Sequence, residues 1–296
     1  MAKTKTHHAG DSLTLLRMPE WASRCTGETL EEAAFLSGAA LAHLDLVARS
    51  APVPQALWRA RLALTAAEAC VGLVGRRERA GQLRDALHLM RPGDRPGPAG
   101  EVFQQWSTAV VRPISVAGLA KALPGVTAQQ IALCLDAIGV NPVDRAAAVL
   151  EAVLADTPRA EKAALVLADA VLATSLGWDH LLPLLALALR SRDLRMRGDD
   201  LRLACHRAVT LAAGQALPLA ADLARRASRL EAVAPKLRAK GAERAVALFL
   251  SRDALAPTAL VAFMSDRAAR RLCDRLVDLG AVRELTGRDT FRLYGV

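Results

Sequence analysis

Hydrophobic residues recur at helical spacing along most of the chain. Residues 28–49 open with acidic residues, which suit a helix N-terminus. The apolar residues of this run that fall near one helical face are Leu30, Ala34, Leu41, Leu44 and Val47. Similar runs continue to residue 254, with prolines near their starts and glycines near their ends. They share no fixed repeat period, so the pattern predicts an all-α fold, an irregular multi-helix array.

Several boundaries of these helices can be predicted from single residues. Ser115 and Thr127 are candidate N-caps of two short helices joined by a tight turn. This pair is typical of an ordinary αα-corner or of a helix-turn-helix, for which Gln129 and Gln130 are the available polar contacts. Further along, Pro218 separates two amphipathic runs and is predicted to open the second.

Residues 91–100, RPGDRPGPAG, interrupt the series of helices. The segment holds three prolines and three glycines, which break helical structure. It is either a rigid surface connector or a binding loop, and the sequence leaves both open.

Residues 266–279 form an amphipathic run near the end of the chain. Ser265 is its candidate N-cap, and Gly280 stands where a left-handed residue ends many helices. Its apolar side consists of Ala269, Leu272, Cys273, Leu276, Val277 and Leu279. Its polar side consists of Arg267, Arg270, Arg271, Arg275, Asp274 and Asp278. Because the second helix of a helix-turn-helix contacts bases through its N-terminal part, we predict this role here, with a preceding helix from Thr258.

Two short alternating runs follow Gly280 and predict a β-hairpin. They are joined by residues 286–289, Thr-Gly-Arg-Asp, in which a glycine permits positive φ. The alternation predicts that Phe291 and Leu293 face the helix and that Tyr294 faces outward. Arg288 then lies at the tip of the hairpin and Arg292 on its flank, where guanidinium groups can bind phosphate. Together these elements predict a C-terminal winged helix-turn-helix with one short β-hairpin.

Composition and charge support a helical protein with a basic end. Hydrophobic residues make up 52% of the chain and aromatic residues 3%, so Ala and Leu must fill the core. Residues 222–296 carry 15 basic and nine acidic residues, against 24 and 21 in the first 221. A localised positive field favours polyanionic partners. Alternatively, nearby acids pair with the arginines at i,i+4 and leave a neutral face.

The sequence shows little sign of catalytic or cofactor chemistry. Its five cysteines are far apart and form no CxxC pair, which argues against zinc or disulfide frameworks and suits a reducing cytosol. Asp85 and His88 form a D-x-x-H step, but no second such step completes a di-metal site. There is no P-loop, Rossmann turn or G-x-S-x-G sequence, no apolar signal segment, and no uncharged run long enough to cross a bilayer. We therefore expect a cytoplasmic protein that is not an enzyme and binds no cofactor or metal.

Four stretches together resemble a bacterial family of unknown function. They are residues 83–100, 166–185, 232–246 and 265–295. Members of this family are rich in Ala and Arg and predicted to be helical, and their C-terminal ends resemble a winged helix. The resemblance implies that most of the chain from about Glu31 onward is one evolved unit, and it implies no activity, cofactor or site residue.

The sequence thus predicts three parts: a flexible tail (1–26), a helical body (27–254) and a winged-helix-like module (255–296). We expect a non-enzymatic, regulatory protein that binds double-stranded DNA and can form a homodimer, with no membrane association. The residues expected to contact DNA are Arg267, Arg270, Arg271, Arg288 and Arg292. The main alternative is an interaction scaffold whose wing docks a protein partner, and an uncharacterised enzyme is a further one.

Overall fold

A computed structural model describes residues 17–23, 27–90, 93–288 and 290–296. The predicted all-α fold is confirmed, since helices are joined there only by loops and one two-stranded hairpin. The α-helices are α1 (Glu20–Ser23), α2 (Leu30–Ala48), α3 (Gln55–Leu73), α4 (Ala80–His88), α5 (Gly97–Val111), α6 (Val116–Ala122), α7 (Ala128–Leu135), α8 (Pro142–Asp156), α9 (Glu161–Ser175), α10 (Leu184–Ala188), α11 (Gly198–Val233), α12 (Ala242–Phe249) and α13 (Asp266–Asp278). Short 3-10 helices lie at Asp193–Arg195, Ala234–Lys236 and Pro257–Leu260. The antiparallel strands are β1 (Arg283–Glu284) and β2 (Tyr294–Gly295).

Polar side chains begin helices at the positions that the sequence predicts. The Ser115 hydroxyl accepts the Gly118 N–H at 3.0 Å, and the Thr127 hydroxyl accepts the Gln130 N–H at 3.2 Å. Each bond satisfies an N–H that has no acceptor inside its helix. Both caps are therefore confirmed. The Gln130 side chain in turn accepts the Thr127 N–H at 3.0 Å, so one of the two predicted polar contacts of this corner is used in capping.

Helix α9 lies at the centre of the molecule, and every residue from 164 to 173 is buried. A helix that is apolar on all sides must be covered on all sides, and α8, α7, α10 and α5 contact it. The long helix α11 packs against α2, α8 and α10 at the edge of this group. Trp58 in α3 is fully buried and donates its indole N–H to the Ala216 carbonyl of α11 at 3.0 Å. The core is thus one contiguous hydrophobic cluster, made largely of Ala and Leu.

The predicted helix boundary at Pro218 is wrong, because α11 runs through this residue for 36 residues without a break. A proline inside a helix removes one N–H and so frees the carbonyl four residues earlier, here that of Gly214. Both Gly214 and Pro218 are exposed, so water can reach the freed carbonyl. The buried face of α11 keeps its packing, and tertiary contacts therefore outweigh the local cost.

A buried carboxyl group holds α10 against α9. Asp169 is fully buried, and its oxygens accept the N–H groups of Leu185 at 2.8 Å and Ala186 at 3.3 Å. Burial raises the pKa of Asp169 to about 8, although these N–H donors oppose the rise. The first turn of α10 is thereby satisfied inside the core.

Ion pairs join the C-terminal segment, residues 253–296, to the rest of the chain. Asp253 is 5% exposed, and its two oxygens lie 2.5 Å from Nε of Arg61 in α3 and 2.5 Å from Nε of Arg84 in α4. Leu255 and Tyr294 exchange two backbone hydrogen bonds of 2.8 Å. The hydrophobic cluster also continues across residue 254, where the sequence places a domain boundary. That division into domains stays a prediction.

Three details of the predicted C-terminal module are wrong. The helix expected from Thr258 is a 3-10 turn at Pro257–Leu260, in keeping with the low helix propensity of its Thr, Val and Phe residues. Phe291 is 75% exposed because its φ of 56° breaks the strand alternation. Tyr294 is buried, since its backbone pairs with Leu255 and its hydroxyl donates to Asp274 at 3.4 Å. Leu293 faces inward as predicted.

The predicted N-terminal tail and the proline-rich loop lie partly outside the described residues, at 1–16, 24–26 and 91–92. In the described part of the tail, Trp21 of α1 stacks on Phe35 of α2 with ring centroids 5.7 Å apart. In the loop, α5 already begins at Gly97. Within the described ranges, no helix has the length and apolar content needed to span a membrane.

Candidate nucleic-acid interface

Helix α13 presents one apolar and one basic face, as the sequence predicts. The Ser265 hydroxyl accepts the Ala268 N–H at 3.3 Å and begins the helix. Gly280, with φ of 63°, ends it, and the Ala281 N–H returns to the Leu276 carbonyl at 2.9 Å. The N-cap and the glycine C-cap are thus confirmed. The buried residues of α13 are Ala269, Leu272, Cys273 and Leu276, which leaves the arginines on the solvent side.

Three of the five predicted contact residues are paired with acids. Arg270 lies 2.9 Å from Asp266, and both side chains are at least half exposed. Arg288 pairs with Asp85 of α4. The Nε of Arg292 donates to the Arg288 carbonyl at 3.0 Å and lies 3.7 Å from a Glu284 oxygen. The alternative of a salt-bridged face therefore holds for these three side chains.

Arg267 and Arg271 differ from the other three. Both are exposed, and neither has an ion pair or hydrogen bond to a described side chain. They lie four residues apart and so share one face of α13. The structure thus leaves these two guanidinium groups open to solvent.

Arg271 lines a groove of about 460 Å³ between α13 and residues 236–239, which follow α11, and we call it the basic groove. Its other cationic residues are Arg275, one turn further along α13, together with Lys236 and Arg238 beyond α11. All four side chains are exposed, and among the described residues no acid lines the groove. Ala268 and Leu272 also line it. Four like charges face a common space here, which is a site of positive potential.

The sequence analysis missed the contribution of Lys236 and Arg238. The signal was present, because residues 235–240, PKLRAK, form a dense basic stretch within one of the motifs that carry the family resemblance. Lys236 and Arg238 precede Arg271 by more than 30 residues along the chain, so their position beside it depends on tertiary packing. Arg275 was identified on the polar face of α13, but it was not expected among the contact residues.

A second basic cluster lies beside β1 and is partly neutralised by one acid. It contains Arg225, Arg226 and Arg229 of α11 together with Arg283. Asp222 pairs with two of them, at 3.1 Å from Arg225 and 2.7 Å from Arg226. The basic groove is therefore the stronger candidate for binding a polyanion.

The body contains a Ser-His-Asp network that sequence reasoning did not find. The Ser37 hydroxyl lies 2.7 Å from Nδ1 of His206, and Nε2 of His206 lies 3.2 Å from Asp144. Burial lowers the pKa of His206, so the ring is neutral; Nε2–H then donates to Asp144, and Ser37 donates to Nδ1. Ser37 and His206 are at most 2% exposed and line none of the larger cavities in the described structure. Arg202 also donates to Asp144, at 3.1 and 3.0 Å, and the network joins α2, α8 and α11 as a structural bridge.

Metal ligands and related proteins are two further sources of information on the site. Within the described ranges, no group of three or more His, Cys, Asp and Glu side chains is placed to hold a metal ion. No curated protein matches the chain. A family model described as "Protein of unknown function (DUF1403)" matches residues 6–296. The chain therefore belongs to the DUF1403 family, and the expected membership of a family of unknown function is confirmed.

Proposed function

We propose that this member of the DUF1403 family binds double-stranded DNA through the basic groove. The observation that carries the proposal is the set of four exposed cations, Lys236, Arg238, Arg271 and Arg275, around a space that no acid lines among the described residues. Cations that lack protein partners can exchange their counterions for phosphates, and this release of counterions drives binding to DNA.

The spacing of the arginines on α13 suits a phosphate backbone. Arg267, Arg271 and Arg275 follow one another at four-residue intervals and form a row about 12 Å long, at 1.5 Å per residue. Duplex DNA carries one charge per ~3.4 Å of axis on each strand, so such a row covers about three to four phosphates. Arg270 can join them by leaving Asp266, because an exposed pair contributes only about 0–1 kcal/mol.

The proposal assigns a lesser role to the hairpin. Arg288 and Arg292 are held by Asp85 and Glu284, so phosphate contact is assigned first to α13 and the basic groove. In this proposal α13 and the β1–β2 hairpin act as a reduced winged helix of a cytoplasmic, non-enzymatic regulator. A homodimer would present two grooves, which compensates for the small contact area of one.

The test is salt-dependent binding of a fluorescein-labelled random duplex, measured by fluorescence anisotropy. Five cationic contacts, from the four cations of the basic groove and Arg267, predict a slope of log K against log salt of about −4.5. The double variant Arg271→Gln, Arg275→Gln removes two of them and should reduce the slope to about −2.7. The control, Arg77→Gln with Arg112→Gln, removes the same charge from exposed positions that do not line the groove.

The comparison of the two variants distinguishes DNA binding in the basic groove from attraction by the overall positive charge. We expect the control variant to keep the wild-type slope, because its arginines make no contact with DNA. Absence of binding at about 50 mM salt, or equal slopes for the groove and control variants, would refute the proposal.

Phe291 favours a second candidate, in which the wing docks a protein. Its ring is 75% exposed and its backbone is in the left-handed region, where a bulky residue is strained. On this candidate, Phe291→Ser abolishes self-association or binding of a purified partner and leaves the DNA salt slope unchanged. Sedimentation velocity of the wild type and the variant tests it for a second copy of the chain.

A further inference from the structure

A large cavity lies in the helical body, away from the basic groove. Its volume is about 630 Å³, within the range of about 300–1,000 Å³ that is usual for small-molecule sites. Residues of α3, α5, α7, α8 and the start of α9 line it, together with the α6–α7 turn. Leu133 of α7 lines the cavity and is 66% exposed, so the cavity is open to solvent.

The wall of this cavity is mostly apolar and includes an uncharged thiol. Cys70 is buried, and its sulfur accepts the Trp106 indole N–H at 3.3 Å. Burial raises the pKa of Cys70 to about 12, so the thiol carries no charge at neutral pH. Val102 and Leu167 belong to the same wall. Transfer of an apolar molecule from water to this surface would therefore be favourable in free energy.

One polar atom in the wall has no partner. The side-chain oxygen of Gln105 is buried and accepts no hydrogen bond from the described residues, although Gln105 lines the cavity. An unsatisfied buried acceptor costs about 1–3 kcal/mol. Because this oxygen is shielded from water, a donor on a bound molecule meets it only after the Gln105 amide turns toward the cavity, and this contact would then remove the cost.

The charges near the cavity balance. Its lining includes two acids, Asp156 and Glu161, and two bases, Arg159 and Lys162. A site of this kind offers no net attraction to an ionic ligand. This is the opposite of the basic groove, where all four charged residues are cationic.

We propose that this cavity binds a neutral, largely apolar small molecule whose single hydrogen-bond donor meets Gln105. The volume, the apolar wall, the balanced charges and the unpartnered oxygen all favour this chemistry over an anion or a charged peptide. The site is separate from the proposed DNA contact and does not depend on it.

N-phenyl-1-naphthylamine is a suitable probe, because it is neutral and apolar, carries one N–H and fluoresces when it leaves water. We expect saturable binding to the full chain with a dissociation constant of order 10 μM, as is usual for a ligand of this size. Ala163→Phe places a ring at a half-buried wall position and should weaken binding at least tenfold. Ala155→Phe is the matched control, on an exposed position of α8 outside the lining, and should change nothing.

The hydrogen bond is tested with a hydrocarbon competitor, 1-benzylnaphthalene, which has a similar size and no donor. The wild type should prefer the amine by about two- to tenfold, the effect of one net hydrogen bond. Gln105→Leu should abolish this preference while it keeps or increases the affinity for the hydrocarbon. A merely structural glutamine would change both affinities equally.

Labelling of Cys134 locates the probe. Cys134 lines the cavity and is half-buried, whereas Cys70, Cys205 and Cys273 are buried. In a Cys25→Ser background, the amine should slow the reaction of Cys134 with a maleimide.

Three results would overturn the proposal. They are fluorescence that does not saturate, equal binding by the Ala163→Phe and Ala155→Phe variants when circular dichroism shows both folded, and equal preference for the two ligands in the wild type. Should Ala163→Phe not fold, Val126→Phe, at another wall position, takes its place. Loss of DNA binding in the groove variants would leave this result unaffected.

Discussion

Asp253→Asn tests how the C-terminal segment is held on the helical body. The substitution keeps the shape of the side chain but removes the negative charge between Arg61 and Arg84. In the wild type the Asp253 side chain is 4% exposed, and those of Arg61 and Arg84 are 12% and 14% exposed. Two guanidinium groups would therefore stay close together in a poorly hydrated place without a counter-ion.

The expected loss follows from this burial. Removal of one partner from a buried ion pair costs about 3–5 kcal/mol, because the remaining charge is left uncompensated. Burial already lowers the pKa of Arg61, which shows that the protein desolvates this charge. Total stabilities of domains are about 5–15 kcal/mol, so the variant should lose a large part of its free energy of unfolding.

The assay is urea denaturation followed by circular dichroism, with linear extrapolation to water. Asp222→Asn is the control, since it also removes one carboxylate between two arginines, but on the surface at 2.7 and 3.1 Å from them. This variant should lose less than about 1 kcal/mol. Hydrogen exchange at the Tyr294 amide, which donates to the Leu255 carbonyl, would show whether the loss begins in the C-terminal segment.

A difference of less than about 1 kcal/mol between the Asp253 and Asp222 variants would refute this reasoning. It would mean that Arg61 and Arg84 reach water once the carboxylate is gone. The C-terminal segment would then be held on the body by apolar packing and by its other contacts, such as the pair of Arg288 with Asp85.

Three further predictions concern other parts of the fold. Gly295→Ala should destabilise the protein by about 1–3 kcal/mol, because the new Cβ would lie 2.7 Å from the Asp253 carbonyl oxygen. The matched variant Gly214→Ala places its Cβ on the exposed side of α11, where no atom lies within 4 Å, and should stabilise the protein by about 1 kcal/mol. The same urea assay measures both. Asp169 has a raised pKa of about 8, so the wild type should lose stability as the pH rises from about 4 to 8 and this group ionises. The Asp169→Asn variant should not show this loss. Parallel curves of stability against pH for the two proteins would contradict the prediction. His206 has a pKa lowered by burial, so the wild type should lose stability as the pH falls below about 6.5, and a His206→Gln variant that shows the same loss would disprove this origin.

The helices and their ends could be predicted because their causes are local. The hydroxyl of Ser265 and the positive φ of Gly280 act within three or four residues of α13, and so do the caps at Ser115 and Thr127. Apolar spacing likewise determined which face of α13 is buried, with Leu272 and Leu276 on it. The pair of Arg270 and Asp266 belongs to the same class, since residues four apart on a helix are neighbours.

Other features were decided only by tertiary packing. Pro218 lies inside α11 because the helix buries one face against α2 and exposes the proline, which the local sequence does not show. Phe291 and Tyr294 exchanged their predicted sides for two reasons. The φ of 56° at Phe291 breaks the alternation, and Tyr294 pairs with Leu255, 39 residues earlier, in addition to its hairpin partner Glu284.

The candidate interface likewise has features set by the local sequence and features set by tertiary packing. The sequence by itself determined that α13 carries arginines on its solvent face, because amphipathic spacing is a property of one helix. Tertiary structure decided which of them are open: Arg288 meets Asp85, 203 residues away, whereas Arg271 meets Lys236 and Arg238 across a groove. The physical reason is that hydrogen bonds within a helix connect near neighbours, while charge pairing and cavities depend on surfaces that meet only when the whole chain has packed.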